Sequence, residues 1–475
     1  MIVHLSSYPS TKASGVSWVG RMPSHWQMIR AKWLFAKMDR PVRHGDEVVT
    51  CFRDGTVTLR KNRRELGYTE SLKEIGYQGV RRGDLVVHAM DAFAGACGVS
   101  DSDGKSTPVY SVCAPKDEKA NAHYYAFCIR EMARSQWILA LSRGVRERST
   151  DFRFAAFADQ TVPLPPSAEQ TAIVRFLDHA DRRIRRYIRA KERLIELLEE
   201  QKQAIIYQAV TGQIDVGTGR PYPAYKESGV DWLGRVPEHW QVIALRYRYE
   251  QCLGKMLDTQ RITGEFLMPY LRNVDVQWDD INVRDLPTMD IHPNEIERYT
   301  IRRGDLLVCE GGEVGRCAVW QGETDHCGFQ KALHRLRPRN SDVPRFLYFV
   351  LRAAVGREAF LDGHESTITH LTGEKLRAHR FPFPPVAEQR TIQVFLDATC
   401  AQLEATSDAQ RKIIQFLREF RTRLVADVVT GKRDVGDVAA ALPAIDSLVA
   451  EDTIYATSKR EATLSPPSNT SSHDH

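Results

Sequence analysis

The side chains that most suggest chemistry are three cysteines with a histidine, a glycine-rich turn and several runs of arginine. Cys309, Cys317 and Cys327 with His326 could bind zinc, but spacings of eight and ten residues match no common zinc-ligand pattern. The nine cysteines are odd in number and contain no C-x-x-C pair, which predicts free thiols. We therefore expect no metal site.

The glycine-rich turn does not predict catalysis. DAFAGACG at 91–98 approaches the turn with which methyltransferases hold S-adenosylmethionine, but Cys97 replaces the second closely spaced glycine. The prolines of PLPP and PFPP lack the flanking residues of an amino-methyltransferase site. The sequence contains no G-x-x-x-x-G-K-[ST] phosphate loop and no H-E-x-x-H zinc motif. We therefore expect no catalytic residues in this chain.

Runs of basic residues remain as candidates for binding. The chain has 66 Lys and Arg against 61 Asp and Glu, a formal net charge of +5, which by itself identifies no partner. Arg, Lys, Asn and His on loops can contact the phosphates and base edges of DNA. The candidate DNA-binding residues are Arg60, Lys61, Asn62, Arg63, Arg64, Arg143, Arg146, Arg148, Arg272, Asn273, Lys331 and His334. A charge run is often only a solvated surface, and that alternative stays open.

An internal repeat organises the chain. The 20 residues from Tyr8 to Gln27 return at Tyr222 to Gln241 with 13 identities. Three further motifs return later in the chain: RRGDL at 81 and 302, PxPPxAEQ at 163 and 382, and VTGxxDVG at 210 and 429. The offset varies before the proline motif and stays at 219 residues from there to the glycine motif. Constant length predicts a rigid element, whereas variable length predicts a module with a divergent surface.

The constant segments have the pattern of long helices, at about 168–211 and 387–430. Apolar residues at alternating steps of three and four predict a helix-pairing seam. The seam residues are Ile173, Leu177, Ile184, Leu194, Leu198, Ile205, Ile392, Leu396, Leu403, Ile413, Leu417 and Leu424. Ser167 with Gln170 suggests a capping box, and Gly212 and Gly431 suggest helix stops. A lone helix about 65 Å long with this seam would be marginal in water, so we expect the two to pair, with the antiparallel arrangement favoured.

The predicted fold class is α+β, with two globular mixed α/β modules joined by two long antiparallel helices in a coiled coil with a pseudo-two-fold repeat. Residues 222–241 follow the end of helix one. We expect the N-terminal segment to have the same role at the end of helix two. The predicted parts are 1–27, a first module at 28–162, a helical region at 163–221, a second segment and module at 222–381, a second helical region at 382–436 and a disordered tail at 437–475. Without an apolar stretch of about 18 residues or a secretory signal, we expect a cytoplasmic protein with no membrane partner.

The repeated motifs together resemble a known family. Two copies of KxSGVxWxGRxPxHW, two PxPPxAEQ helix entries and two VTGxxDVG exits are similar to those of the specificity (S) subunit of type I restriction-modification systems. The resemblance covers residues 8 to about 436. It implies two target-recognition domains, each reading one half of an asymmetric bipartite DNA sequence, held by two antiparallel helices.

The resemblance also implies the partners. Such subunits have no catalysis of their own, bind double-stranded DNA, and recruit two methyltransferase (M) subunits, which restriction (R) subunits then join. S-adenosylmethionine, ATP and Mg²⁺ would then belong to the partners, with no cofactor in this chain. Three alternatives stay open: the specificity component of a related multisubunit restriction system, a non-catalytic helical scaffold, and a self-sufficient DNA enzyme.

Overall fold

The computed structural model describes residues 5–63, 74–141, 151–257, 263–360 and 371–443. The chain forms two compact units: unit 1 is Met1–Ala190 with Ile413–His475, and unit 2 is Lys191–Lys412. Unit 1 is therefore built from both ends of the chain, whereas unit 2 is one continuous segment.

Unit 1 begins with short strands and short helices. Its strands are β1 (Thr11–Ala13), β2 (Arg21–Pro23), β3 (Gln27–Arg30), β4 (Phe35–Lys37), β5 (Val49–Cys51), β6 (Val57–Leu59), β7 (Gln78–Val80), β8 (Leu85–His88), β9 (Cys97–Val99), β10 (Gly104–Ser106), β11 (Tyr110–Pro115) and β12 (Thr161–Leu164). Its helices before the first long one are α1 (Ala122–Arg134), α2 (Trp137–Leu141) and α3 (Phe154–Ala158), and the long helix α4 spans Ser167–Val210.

The centre of unit 1 is a four-stranded antiparallel sheet in the order β4-β11-β8-β9. Strand β8 follows the RRGD turn, where Gly83 has a φ of +90° and the Asp84 carboxylate accepts from the Arg81 N–H at 2.7 Å. Helix α1 packs against this sheet and begins at Asn121, whose side chain accepts from the N–H of His123 at 3.0 Å. This cap satisfies a donor that the first helical turn leaves free.

Unit 2 contains the remaining strands and most of the remaining helices. Its strands are β13 (Tyr225–Glu227), β14 (Arg235–Pro237), β15 (Gln241–Ala244), β16 (Tyr249–Leu253), β17 (Leu267–Leu271), β18 (Val276–Gln277), β19 (Asp280–Ile281), β20 (Thr288–Asp290), β21 (Leu306–Cys309), β22 (Cys317–Val319), β23 (Gly328–Phe329), β24 (Leu333–Pro338) and β25 (Arg380–Phe383). Its helices are α5 (Ile296–Tyr299), α6 (Pro344–Gly356) and α7 (Gly373–Ala378). The long helix α8 (Val386–Val429) begins in unit 2 and ends in unit 1, which also contains α9 (Gly436–Ala440).

The sheet of unit 2 has the same plan as that of unit 1. Four antiparallel strands are ordered β16-β24-β21-β22, with α6 packed on β21 and β22. In both units the strand before the first sheet strand pairs with the strand that enters a long helix, as β3 with β12 and β15 with β25. Unit 2 also has a three-stranded sheet, β20-β17-β23, in which β17 and β23 run parallel. The mixed α/β content is as predicted.

Each long helix has 44 residues, and the predicted limits of α4 are confirmed to within one residue. In unit 1 the first part of α4 contacts the last part of α8, where Asp181 pairs with Arg421. In unit 2 the last part of α4 contacts the first part of α8, where the Lys202 ammonium lies 3.3 Å from the Glu404 carboxylate.

The buried face of these helices departs from the predicted seam at two positions. Ile413 is 38% exposed, whereas its neighbour Ile414 is only 6% exposed. Likewise Ile205 is half-buried and Ile206 is fully buried. A 3.5-residue repeat and a 3.6-residue helix diverge by about 20° per heptad, so the buried face moves to the adjacent residue. The other seam residues are buried or half-buried: Ile173, Leu177, Ile184, Leu194, Leu198, Ile392, Leu396, Leu403, Leu417 and Leu424.

The predicted capping box at the start of α4 is wrong. The Gln170 side chain instead donates to the carbonyls of Lys119 at 2.8 Å and Pro165 at 2.9 Å, and the Ser167 hydroxyl donates to the Glu118 carbonyl. Gln170 therefore ties the helix to the loop before α1, a partner that the local sequence pattern does not contain. The predicted glycine stops are confirmed, because Gly212 and Gly431 have φ values of +70° and +74°.

Candidate nucleic-acid interface

The predicted basic cluster in unit 1 lies just after the β5–β6 hairpin, on the 3₁₀ turn Arg60–Asn62. The Lys61 ammonium pairs with Glu47 at 2.5 Å, and the Arg63 guanidinium pairs with Asp54 at 2.8 Å. Arg63 also lies over the Phe52 ring, 4.6 Å from its centroid. Its hydrogen bond with Arg63 helps to lower the pKa of Asp54, against the opposing effect of burial. The turn thus presents a fixed, partly exposed guanidinium at the tip of a strand pair.

The other two residues of this turn contact threonine hydroxyls of the same hairpin. The Arg60 side chain donates to the Thr50 hydroxyl at 3.3 Å, and the Asn62 amide donates to the Thr58 hydroxyl at 2.8 Å. Four further predicted candidates lie outside the described residues: Arg64, Arg143, Arg146 and Arg148.

In unit 2 the predicted candidates separate into surface residues and structural ones. Arg272 makes two 2.8 Å hydrogen bonds to the Asp275 carboxylate, and Lys331 is exposed beside a cavity of about 290 Å³. The Asn273 amide donates to the carbonyls of Gly311 and Ala332, and its oxygen accepts from Arg316. Asn273 therefore has little hydrogen-bonding capacity left for a base.

His334 is a correction to the predicted set. Its side chain is completely buried in β24, with Nδ1 2.8 Å from the Gln251 amide and Nε2 2.9 Å from the Leu371 carbonyl. Burial lowers the pKa of His334, so the ring is neutral at pH 7. Both faces of β24 are buried from Leu333 to Leu336, so His334 cannot contact DNA in this conformation.

Sequence reasoning missed a pair of exposed aromatic residues at equivalent positions. Trp33 and Tyr247 are 63% and 61% exposed and end matching 3₁₀ turns, Ala31–Trp33 and Leu245–Tyr247. A basic neighbour lies over each ring, Lys32 at 5.7 Å and Arg246 at 5.0 Å. The sequence indicates this equivalence, because the 214-residue offset of the repeat relates Lys32 and Trp33 to Arg246 and Tyr247.

A second missed feature is a carboxylate that binds three side chains at the start of α4. Glu169 accepts hydrogen bonds from the Tyr8 hydroxyl and from the Trp26 indole N–H at 3.0 Å, while its other oxygen lies 2.9 Å from His25 Nε2. Burial and the Glu169 hydrogen bond raise the pKa of the Tyr8 hydroxyl, which therefore stays protonated as the donor. We call Glu169 with these three residues the unit 1 clamp.

The same arrangement occurs in unit 2. Glu388 accepts from the Tyr222 hydroxyl and from the Trp240 indole N–H at 2.9 Å, with His239 Nε2 at 2.9 Å. Burial and the Glu388 hydrogen bond raise the pKa of the Tyr222 hydroxyl. We call this set the unit 2 clamp.

Each clamp tryptophan also contacts the end of a long helix. A Cβ on Gly431 would lie 2.2 Å from Pro23 and 3.0 Å from Trp26, so the end of α8 packs tightly on the N-terminal segment. A Cβ on Gly212 would lie 2.3 Å from Pro237. The end of α8 thus contacts the N-terminal segment, and the end of α4 contacts the segment at 222–241.

The thiols are buried, except that of Cys252, which is half-buried. Burial raises the pKa of Cys51, Cys113 and Cys327 to about 12 in each case. A nucleophilic or metal-binding cysteine needs a lowered pKa. Within the described ranges, no group of three His, Cys, Asp or Glu side chains is placed to hold a metal ion.

None of the helices in the described part of the chain has the length and apolar character needed to cross a membrane.

Known proteins share this sequence and fold. A family model described as the type I restriction modification DNA specificity domain matches residues 254–415. The chain is 30% identical over 141 residues to the type I restriction enzyme EcoBI specificity subunit of Escherichia coli, covering 29% of this chain and 28% of that protein. It is 21% identical over 248 residues to the EcoKI specificity subunit of E. coli strain K12, half of each chain. These matches therefore span between about a quarter and a half of the relatives' lengths.

Two solved structures share the fold. One is described as the structural basis of complex assembly and conformational transition of the type I R-M system. It has a TM-score of 0.65 at 17% identity, and the match covers 86% of this chain and 98% of the chain in that structure. The HsdS subunit from Thermoanaerobacter tengcongensis has a TM-score of 0.55 at 18% identity, with the same coverage of both chains. Residues 254–415 therefore resemble the type I restriction modification DNA specificity domain, and the chain shares the fold of these two structures.

Proposed function

We propose that this chain is the sequence-specific DNA-recognition subunit of a type I restriction-modification complex and reads an asymmetric bipartite target. One observation carries the proposal: the two units share the clamp and the sheet order, whereas their candidate DNA-binding loops differ. The turn of unit 1 with Lys61 and Arg63 has no sequence counterpart in unit 2, where the surface candidates are the partly exposed Arg272 and the exposed Lys331. Two units with the same scaffold and different candidate DNA-binding surfaces suit two unrelated half-sites.

The length of the long helices supports a fixed spacing between the half-sites. At about 1.5 Å per residue, 44 residues extend roughly 66 Å. We infer that α4 and α8 form an antiparallel coiled coil related by an internal repeat, because their sequences keep one offset and their contacts run antiparallel. One DNA turn is about 34 Å, so this length suits half-sites one to two turns apart.

DNA can replace the carboxylate partners in the exposed ion pairs of unit 1. Lys61 and Arg63 pair with Glu47 and Asp54, and all four side chains are at least two-fifths exposed. Exposed pairs of this kind contribute only about 0–1 kcal/mol, so a phosphate or guanine can replace the carboxylate at little cost. Stacking on Phe52 fixes the Arg63 guanidinium and reduces the entropy lost on binding.

An apolar stripe on α8 supports recruitment of methyltransferase subunits. Ile413, Phe416 and Phe420 are 38%, 68% and 51% exposed and lie on one helical face at spacings of three and four. Ile414 is buried instead, so α8 has a second apolar face. A partner helix would bury this stripe. We propose that two M subunits bind the long helices, that R subunits join this complex in the cytoplasm, and that S-adenosylmethionine, ATP and Mg²⁺ are bound by these partners, with no catalysis in this chain.

The test is a module exchange read by methylome sequencing. Residues 28–162 are replaced by the corresponding module of another specificity subunit, and the methylated sequence is compared with that of the unchanged chain and of a strain lacking the gene. We expect one half of the methylated sequence to change while the other half and the spacer stay the same. The matched control exchanges the second module and should change only the other half.

Other outcomes identify the alternatives. Methyl transfer by the purified chain alone would mean that it is a self-sufficient DNA enzyme. An assembled complex without salt-dependent DNA affinity would mean that the chain is a helical scaffold. Assembly with partners of another kind would place it in a related multisubunit restriction system.

A further inference from the structure

Unit 2 contains a small open recess beside Lys331, with a volume of about 290 Å³. It is lined by Leu257, Glu310, Gln330, Lys331 and Ala332. Three of these side chains are polar: a carboxylate, an amide and an ammonium. Each is at least partly exposed, and none of the three makes a hydrogen bond or ion pair with another residue in the described ranges. Hydrogen-bond donors and acceptors therefore meet at one recess and are free to bind a ligand.

The backbone around this recess is held on both sides. Glu310 directly follows β21, where its N–H donates to the Ala332 carbonyl at 3.0 Å and its carbonyl accepts from the Leu371 N–H at 2.9 Å. A Cβ on Gly254 would lie 2.2 Å from the Gln330 carbonyl oxygen, so the neighbouring strand packs tightly against Gln330. Groups that are already held in place lose less entropy when they bind a partner.

Asn273 connects the two sides of the recess. Its amide donates to the carbonyls of Gly311 at 3.1 Å and Ala332 at 3.3 Å, and its oxygen accepts from Arg316 at 3.0 Å. A residue that the sequence suggested as a base reader thus fixes the backbone next to Glu310. A rigid backbone of this kind holds the polar side chains of a binding site in one geometry.

Unit 1 has the same backbone arrangement. The Ala89 N–H donates to the Val109 carbonyl at 3.1 Å, and the Ala89 carbonyl accepts from the Phe152 N–H at 3.1 Å. Ala89 follows β8 as Glu310 follows β21, and β11 pairs with β8 in the register in which β24 pairs with β21. Positions 89, 107 and 108 of unit 1 therefore correspond to positions 310, 330 and 331 of unit 2.

The side chains at these three positions differ completely between the units. Unit 1 has Ala89, Thr107 and Pro108, so the carboxylate, the amide and the ammonium occur only in unit 2. A surface that meets the same partner in both units would keep its side chains, as the two clamps do. The recess keeps its backbone and changes every polar side chain, which suits a surface that distinguishes two unrelated half-sites.

The chemistry of the three side chains indicates which part of DNA they contact. A carboxylate repels phosphate, but it accepts a hydrogen bond from the amino group of cytosine in the major groove. A glutamine amide pairs with adenine through one donor and one acceptor, and a lysine ammonium donates to guanine. The side chain of Leu257 is 41% exposed and can contact a thymine methyl group. The recess therefore suits base edges better than the DNA backbone.

We propose that Glu310 and Gln330 read base pairs in the half-site that unit 2 recognises. Glu310 accepts a hydrogen bond from the amino group of a cytosine, and Gln330 pairs with an adenine, with Lys331 beside them. This inference rests on the proposed function, because it names the residues that read one of the two half-sites.

The test is methylome sequencing of strains in which the full chain, with its partner subunits, carries Glu310→Ala or Gln330→Ala. Each variant should accept more than one base at one position of a half-site, while the other half-site and the spacer stay unchanged. That position should lie in the half-site that changes when the second module is exchanged.

Binding to duplexes with that base pair replaced gives the magnitude. Replacement should weaken binding of the unchanged complex by roughly 5- to 150-fold, and the factor should fall to about one for the variant. The matched control Glu265→Ala removes an exposed glutamate of the same module outside the recess and should leave the methylated sequence unchanged. Since Glu310 and Gln330 have no side-chain partners within the described ranges, both variants should keep the melting temperature of the unchanged chain.

The inference is overturned if both variants methylate the unchanged sequence while exchange of the second module still changes one half-site; the proposed function would then stand. A relaxed position in the other half-site would overturn it as well. Weaker assembly with the methyltransferase subunits at an unchanged methylated sequence would also overturn it, because the recess would then contact protein. If the complex of the unchanged chain methylates no bipartite sequence, both the inference and the proposed function are wrong.

Discussion

The unit 1 clamp gives a quantitative prediction, because one substitution removes a carboxylate with three partners. In Glu169→Ala the indole N–H of the fully buried Trp26 and the hydroxyl of the buried Tyr8 lose their acceptor. Leaving a buried donor unsatisfied costs about 1–3 kcal/mol each, whereas the pair with the half-exposed His25 contributes at most about 1 kcal/mol. We expect Glu169→Ala to lower the free energy of unfolding of unit 1 by about 3–5 kcal/mol.

Urea unfolding of the purified full chain, followed by tryptophan fluorescence, measures this loss. Glu169→Gln retains one acceptor oxygen and should lose about half as much. The control Glu118→Ala removes an exposed glutamate from the same unit and should change stability by less than about 0.5 kcal/mol. A Glu169→Ala loss no larger than that of the control would show that the clamp does not stabilise the start of α4.

Three further changes test other parts of the structure. Ile414→Asp should lower the free energy of unfolding by about 3–5 kcal/mol, because it places a carboxylate in a buried face. Ile413→Asp should lower it by under about 1 kcal/mol. Equal losses, measured by urea titration, would mean that Ile413 belongs to the buried face, as the sequence predicted. The double variant Lys61→Ala with Arg63→Ala is tested in the assembled complex. It should reduce the slope of log DNA affinity against log salt concentration by about 1–2. An unchanged slope and an unchanged target sequence would show that these residues do not contact DNA. Since burial raises the pKa of Cys51 to about 12, its thiol should resist alkylation at pH 8 until the chain unfolds. Labelling is measured by mass spectrometry, and rapid labelling of Cys51 in the folded chain would contradict its burial.

The helical part of the fold could be predicted because its signals are local and repeated. The apolar period and the constant offset placed α4 to within one residue, and the glycines at both helix ends took the expected left-handed conformation. The choice between Ile413 and Ile414 could not be predicted, because it depends on how two helices wind along each other and not on the pattern of either one.

The candidate site was less predictable, because its geometry arises from contacts between distant parts of the chain. Residue type suggested His334 and Asn273 as base-reading side chains, but His334 is buried in a strand covered on both faces and three hydrogen bonds occupy Asn273. The repeat marked Trp26 and the AEQ motif without showing that both meet at Glu169.

The assembly of unit 1 from both ends of the chain has a consequence for biosynthesis. Trp26 is made early, yet Gly431, against which it packs, follows about 400 residues later. At roughly 5–20 residues per second, the ribosome needs about 20–80 s to cover that interval. Unit 2 is continuous and can fold during that time, so the first-made segment must wait, exposed to proteases and chaperones, for the last-made helix.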